Sequence, residues 1–254
     1  MNILIYGIGG TMGRILYDCL KEEKELKAVC GVDKLLKENT FDIPVYSSCK
    51  DIATEKPNCI IDFSMHECVY DYLPYATENK IPCVIATTGF NETEQEFINN
   101  ASKLIPIFQT GNMSLGVNLM LKLVKEASLM LGDKADIEII EMHHNKKVDS
   151  PSGTALMLGN AVKSALANKT DFVCGRKGIV GKRTKNEIGI HSIRGGSIVG
   201  KHEVMFIMDN EIITVTHESQ SKTIFALGSI NAAKFLVKQQ NGIYDMNDLL
   251  NDSI

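Results

Sequence analysis

The sequence predicts an α/β protein: a parallel sheet covered by helices in the first half, then a smaller α+β region with a mixed sheet. Three observations carry this. Short apolar runs, NILIY, KAVCGV, CIIDFS, PCVIAT and IPIFQT, recur between Asn2 and Thr110 without polar alternation, as strands covered on both faces do. Segments with helical periodicity, such as Met12–Leu20 and Glu67–Ala76, separate several of them, and strand–helix alternation builds parallel sheets through crossover connections. After Gly111 the pattern changes to one long amphipathic stretch and then to alternating runs.

Taken in order, NILIY is a compact strand that runs directly into glycines, and KAVCGV is a second strand ending at Gly31-Val32-Asp33. CIIDFS, PCVIAT and IPIFQT continue the sheet. NMSLGVNLMLKLVKEASLML then reads as one long helix with Ser114 placed to cap it, since a serine before an apolar-periodic run satisfies a free N–H of the first turn. ADIEIIEMHH alternates as a half-buried strand does, and Ser152–Ala167 reads as the next helix, with Pro151 near its first position. GIHSIRGGSIVGKHEVMFIMDNEIITVTHES is strand-rich, with Asp209-Asn210 as the hairpin turn. TIFALGSINAAKFLV, after Lys222, returns to helix. The expected domains are 1–113 with 222–254, and 114–221.

The bulk composition narrows the class. The 254 residues are 44% apolar and 23% charged with 20 glycines, the profile of a globular chain long enough for two cores. A net charge of −4 without a dense Lys/Arg run argues against nucleic acid as the main partner. No apolar stretch reaches the ~18 residues of a membrane span, and MNILIYGIGG lacks the basic start of a signal peptide. Seven cysteines form no CxxC pair, which suits a reduced, cytoplasmic setting.

The first strand opens into Gly7-Ile8-Gly9-Gly10-Thr11-Met12-Gly13. Met12 breaks a strict GxGxxG, yet Gly7, Gly10 and Gly13 keep a GxxGxxG spacing. A turn without Cβ atoms lets a pyrophosphate reach the N–H groups of a helix start, the arrangement of a Rossmann-type dinucleotide-binding domain. Asp33, twenty residues past Gly13, can accept the ribose hydroxyls of NAD, whereas Lys34 beside it could attract a 2′-phosphate. NADH is expected to be usable, with NADPH as a second candidate.

The second concentration of chemistry is EMHHNKKVDSPSGTA, Glu141 to Ala155. A strand delivers His143 and His144 to its C-terminal end, where neighbouring side chains point to opposite faces. That makes a poor chelating pair, and no metal is expected. Histidine suits general acid–base work near neutral pH. Lys147 is two pleats beyond His143, so an extended chain would turn both toward one pocket. Ser152-Gly153-Thr154 then opens a helix whose free N–H groups and hydroxyl suit a carboxylate. Base, cation and anion-binding helix start together describe a site for an anionic substrate that exchanges protons.

YGIGGTMGR, IDFSMHE, ATTGF, TGNMSLGVNLM, EMHHNKKVDSPSGTA and RGGSIVGKHEVMF resemble, in order, the landmarks of the dihydrodipicolinate (4-hydroxy-tetrahydrodipicolinate) reductase family. The resemblance spans nearly the whole chain. It implies NADH- or NADPH-dependent reduction of a cyclic imine dicarboxylate to tetrahydrodipicolinate, in the diaminopimelate route to lysine. It assigns His143 and Lys147 to proton transfer, and His144, Gly153 and Thr154 to the substrate. Cofactor contacts fall on Gly7, Ile8, Gly9, Gly10, Thr11, Met12, Asp33 and Lys34, on Ala86, Thr87 and Thr88, and on Thr110, Gly111, Asn112 and Met113. It also implies a homotetramer built on the sheets of the second domain. Ala86 stands where the family usually has glycine, Met113 where phenylalanine is common, and Thr11, Met65 and Lys222 where arginines are frequent. Two other readings stay open from the residues: another two-domain dehydrogenase acting on an amino-acid-derived imine or ketone, and a non-catalytic NAD(H)-sensing protein.

Overall fold

The computed structural model describes residues 1–36, 38, 40–166 and 171–252. Its strands and helices, in chain order, begin with β1 (Asn2–Tyr6), α1 (Thr11–Glu22), β2 (Lys27–Val32), β3 (Val45–Tyr46), β4 (Cys59–Asp62), α2 (Val69–Asn79), β5 (Cys83–Ile85), α3 (Glu92–Ser102) and β6 (Pro106–Gln109). Next come α4 (Leu115–Leu131), β7 (Asp136–His143), α5 (Gly153–Ala165), β8 (Asp171–Cys174), β9 (Glu187–Arg194), β10 (Gly200–Ile207) and β11 (Ile212–Ser219). The last three are α6 (Thr223–Leu236), β12 (Gly242–Tyr244) and α7 (Met246–Asp252). Two compact units result: Met1–Leu115 together with the segment from Lys222 onward, and Gly116–Ser221. Among the described residues no helix is long and apolar enough to cross a membrane.

The first unit holds a seven-stranded sheet in the order β12-β6-β5-β4-β1-β2-β3, with every pairing parallel. Apolar residues fill both sides, which is why its strands read as unbroken apolar runs. Ile3 and Ile5 of β1 join one core with Leu16 of α1 and with Ile230, Phe235 and Leu236 of α6. Leu4 and Tyr6 point the other way, into a core with Ile60, Tyr72 and Leu73. The strand order reverses between β1 and β4, and such sheets bind ligands at the C-terminal ends of the strands beside that reversal.

The second unit is a five-stranded mixed sheet, β11-β10-β7-β9-β8. β7 runs antiparallel to β10 and parallel to β9. One face is helix-covered: Ile137 and Ile139 of β7 pack with Met120 and Val124 of α4 and with Ala155, Leu158 and Val162 of α5. Each such fully buried aliphatic side chain contributes roughly 1.5–3 kcal/mol. Period-two geometry puts Glu141 and His143 on that same face. The hairpin from β10 to β11 turns at Asp209-Asn210, closed by Met208 N–H donating to Glu211 O at 2.9 Å.

Two local expectations are corrected. Strand β7 stops at His143 and the chain turns, with Lys147 N–H donating to His144 O at 3.2 Å; Lys147 therefore does not continue an extended run. Pro151 lies one residue before the cap of α5, not at its first helical position, and its peptide bond to Ser150 is cis. Ser152 itself is the cap, and Ala167, the expected last residue of that helix, lies outside the described residues.

Candidate functional site

In the first unit β1 breaks at Gly7, whose φ of +81° is accessible to glycine at little cost. Gly7 N–H donates to Val32 O at 2.8 Å and Gly10 N–H to Gly7 O at 3.1 Å. Helix α1 then starts with Gly10 in the cap position and no side chain capping it, which leaves its first N–H groups to an anion. The turn has no room for a side chain at Gly9 or Gly13: a Cβ on Gly13 would lie 2.2 Å from Gly7 O, and one on Gly9 2.7 Å from Asp33 Oδ2. Asp33 closes over the loop, Oδ2 accepting from Gly9 N–H and Oδ1 from Leu35 N–H, each at 2.9 Å. A cavity of about 240 Å³ is lined by Gly7, Gly10, Asp33, Lys34, Ser64 and Met65, among others. Thr11 and Met12 form the first turn of α1.

The other sequence-predicted cofactor residues follow neighbouring strands. Ala86, Thr87 and Thr88 come after β5, and Thr110–Met113 after β6. The ends of β4 and β5 are tied together: Thr87 Oγ1 accepts from Ser64 N–H at 3.0 Å and donates to Ser64 O at 3.1 Å. Buried Asp62 accepts from Ser64 N–H, the Ser64 hydroxyl and Tyr72 OH. Burial outweighs those bonds and pushes its carboxyl up to about 6. Ile8 and Met113 belong to the core, so they offer a ligand backbone rather than side chain.

In the second unit β7 carries Glu141 and His143 on its helix-covered face. Glu141 is fully buried, 0% exposed. Its Oε1 accepts from Arg194 Nη2 at 2.7 Å and from Ser152 N–H at 3.1 Å. Its Oε2 accepts from Arg194 Nη1 at 2.8 Å and faces His143 Nδ1 at 2.6 Å. Burial raises this carboxyl's pKa, but the Arg194 bonds and the remaining donors overcome it and hold it at about 2. An ionised carboxylate only accepts, so His143 carries its proton on Nδ1 and leaves Nε2 open. Nε2 lies over Gly200, where a Cβ would approach to 3.1 Å.

The His143 pKa is lowered: burial comes first, the Glu141 bond and charge oppose it, and Lys147 and Arg194 add to the lowering. Lys147 therefore lies within electrostatic reach of the ring despite the turn, with Nζ paired to Asp149 at 2.8 Å. His144, one residue past the strand, keeps a buried Nδ1 without a partner. Ser152 caps α5 by accepting from Ala155 N–H at 3.2 Å, and Gly153 and Thr154 form the first turn. Below the cap, His202 Nε2 lies 3.0 Å from Ser152 Oγ. Its ring meets that of His143 edge-on at 5.2 Å. Burial, with help from His143, drops its pKa to about 4. Among the described residues no group of three or more His, Cys, Asp or Glu is placed to hold a metal.

Two family models together span nearly the whole chain. The model "Dihydrodipicolinate reductase, N-terminus" matches residues 1–113, and "Dihydrodipicolinate reductase, C-terminus" matches 116–250. The chain belongs to the dihydrodipicolinate reductase family. The 4-hydroxy-tetrahydrodipicolinate reductase of Caldanaerobacter subterraneus subsp. tengcongensis is 47% identical over 252 residues, 98% of each chain. That of Clostridium tetani is 43% identical over 251 residues, covering 99% of this chain and 97% of its own. A dipicolinate-bound dihydrodipicolinate reductase from Paenisporosarcina sp. TG-14 superposes with a TM-score of 0.81 at 21% identity, covering 96% of this chain and 97% of that one, which places the fold. Dihydrodipicolinate reductases are nicotinamide-dinucleotide oxidoreductases, so the two other readings left open by the residues, the non-catalytic sensor and another two-domain dehydrogenase, give way.

Sequence reasoning missed four residues of this family member's second unit. Glu141 was legible in principle, because E-x-H on a strand puts both side chains on one face. Arg194 pairs in register with His143 across β7 and β9, and no local pattern shows that. Ser152 was read only as part of a helix start. His202 lies 50 residues from the serine it touches.

Proposed function

We propose that the chain reduces 4-hydroxy-tetrahydrodipicolinate, or dihydrodipicolinate once water has left, to tetrahydrodipicolinate in diaminopimelate and lysine biosynthesis. The observation that carries this reading is the pairing of His143 with ionised Glu141 directly beneath the capped start of α5. One small region thus offers a proton-exchanging imidazole, the Lys147 cation, and first-turn N–H groups for a carboxylate. His143 and Lys147 move the proton that the reduced ring takes up. His144, Gly153 and Thr154 hold the substrate's carboxylates.

The Gly7–Met12 turn fits a dinucleotide, because its glycines keep open a cradle that Cβ atoms would fill. When bound, reduced nicotinamide supplies the hydride. Gly7 to Met12 hold the pyrophosphate; Asp33 and Lys34 face the ribose. Ala86–Thr88 and Thr110–Met113 line the remainder of the cofactor path. Asp33 favours NADH, and Thr11 and Met65 supply no arginine for a 2′-phosphate; NADH is the preferred donor, with NADPH accepted. Assembly as a homotetramer through the second unit is part of the same reading. Its support is the sheet face opposite α4 and α5, where Ile193 and Ile212 are 44% and 60% exposed.

The test is kcat/KM with NADH and NADPH on dihydrodipicolinate generated from aspartate semialdehyde and pyruvate, beside other imines and ketones. His143→Ala and Lys147→Ala should each lower kcat by ~10²-fold or more, the scale of acid–base groups, with NADH affinity intact. Unchanged turnover in both variants would overturn the assigned roles.

A further inference from the structure

We infer that Glu141 is a positioning residue for this reduction, one carboxylate that fixes both the protonation pattern of His143 and the start of the helix that grips the substrate. The inference rests on the function proposed above. An ionised carboxylate has about four acceptor sites, and donors crowd them: both Arg194 nitrogens, His143 Nδ1 and Ser152 N–H, with the Ser192 side chain bonding to it as well. The side chain is fully buried, so water does not compete for those sites.

Each bond has a distinct effect. The Arg194 fork is bidentate, and its planar geometry orients the carboxylate; Arg194 Nη2 also reaches Asp149 O at 2.8 Å, tying in the loop that carries Lys147 and Asp149. With the oxygens so oriented, Oε2 accepts the Nδ1–H of His143 and leaves Nε2 as the atom that exchanges protons. Free imidazole does not hold this tautomer by itself; in proteins the partner of one nitrogen sets the state of the other. Oε1 holds Ser152 N–H at the cap of α5, immediately before Gly153 and Thr154. The proton-exchanging nitrogen and the substrate-gripping helix start thus take their positions from two oxygens of one rigid group. A fold-supporting ion pair alone would require Arg194 and neither His143 nor Ser152.

Charged and titratable groups facing His143 are Glu141 on β7, Lys147 on the following loop, Arg194 on β9 and His202 on β10, with His217 of β11 opposite His202. The experiment is nitrogen NMR of His143 in wild-type and Glu141→Gln protein, with kcat, KM and pH profiles for both. Wild-type His143 should be protonated on Nδ1 around neutral pH, whether or not the imine is turned over; a predominant Nε2–H form overturns the inference by itself. In Glu141→Gln, whose amide can donate to the ring, the Nε2–H form should take over. The limb of its profile set by His143 should move to lower pH, because the charge that opposes the lowering is gone. Its kcat should fall ~10²-fold and imine KM should rise, with NADH affinity within about threefold of wild type. Glu141→Asp, which keeps the charge, should keep Nδ1–H and recover part of kcat. Equal kcat and pH profile in Glu141→Gln and wild type would overturn the inference. Wild-type protein idle on every imine would overturn the proposed function and leave the tautomer result to decide this one.

Discussion

Protonation of His202 should cost this protein stability in mild acid. His202 is 4% exposed, and burial, reinforced by His143, His217 and Lys147 against Glu141, lowers its pKa from 6.5 to about 4. An unfolded histidine takes its proton near 6.5, so between the two values the unfolded chain binds more protons. Stability therefore rises with pH in this window and is lost as pH falls through it. Each unit of pH well inside that window is worth about 1.4 kcal/mol, and with the unfolded ring half protonated at the start, going from pH 6.5 to 4.5 removes roughly 2 kcal/mol on account of this one ring. Glu138 and Glu141, both held at about 2, begin to give up their contributions as pH falls toward their unfolded value of 4.5, but they do so in wild type and variant alike and cancel. The perturbation is His202→Gln, whose amide can still meet Ser152 Oγ without titrating. Urea unfolding at both pH values, with the slope m compared to check the denatured state, gives the double difference. His143, His66 and His217 titrate in both proteins and cancel. Wild type should lose roughly 2 kcal/mol more than the variant. Equal losses, within about 0.5 kcal/mol, would refute the reasoning.

Gly13→Ala puts a methyl 2.2 Å from Gly7 O and 2.6 Å from Ile8 Cα; the turn must open, and dinucleotide affinity by calorimetry should fall at least ~10-fold, with near-native affinity counting against the cradle. Asp62, raised from 3.8 to about 6 by burial, binds a proton in the folded state that the unfolded chain lacks between those values. This one site should accordingly add roughly 2 kcal/mol as pH falls from 6 to 4, offsetting much of the His202 loss in wild type and visible as a difference from the variant. Asp62→Asn should lack that gain, and a parallel stability–pH curve for the two proteins would contradict it.

Long, strongly patterned elements were legible in the sequence, and short or distant ones were not. β1, β2 and β4 announce themselves as apolar runs, and the 17 residues of α4 carry four buried positions in helical register. By contrast β3 has two residues and β12 three, too few for any period to show. Strand β8 is exposed at both ends, so it has no apolar signature. The box that starts α3, Asn91 with Glu94, was present as N-x-x-E and went unread. At the site, residues adjacent in sequence were found, and their partners across strands were not. Lys147 was misplaced because the expectation extended a strand through Asn145 and Lys146, where the chain turns. Asp33 was placed correctly at the end of β2, but its bonds to Gly9 and Leu35 depend on a tertiary approach.

The last strand of the first sheet, β12, and the helix α6 that fills its core with Ile230, Phe235 and Leu236 come from the final stretch of the chain. During synthesis, the ribosome therefore releases the entire second unit while the first still lacks one edge and much of its packing. A nascent chain stalled near Ser219 would expose the apolar side of β4, β5 and β6 that α6 otherwise covers. Completion of the unit that carries the glycine turn is in this way a late event in the birth of the molecule, although the turn itself precedes the whole second unit along the chain.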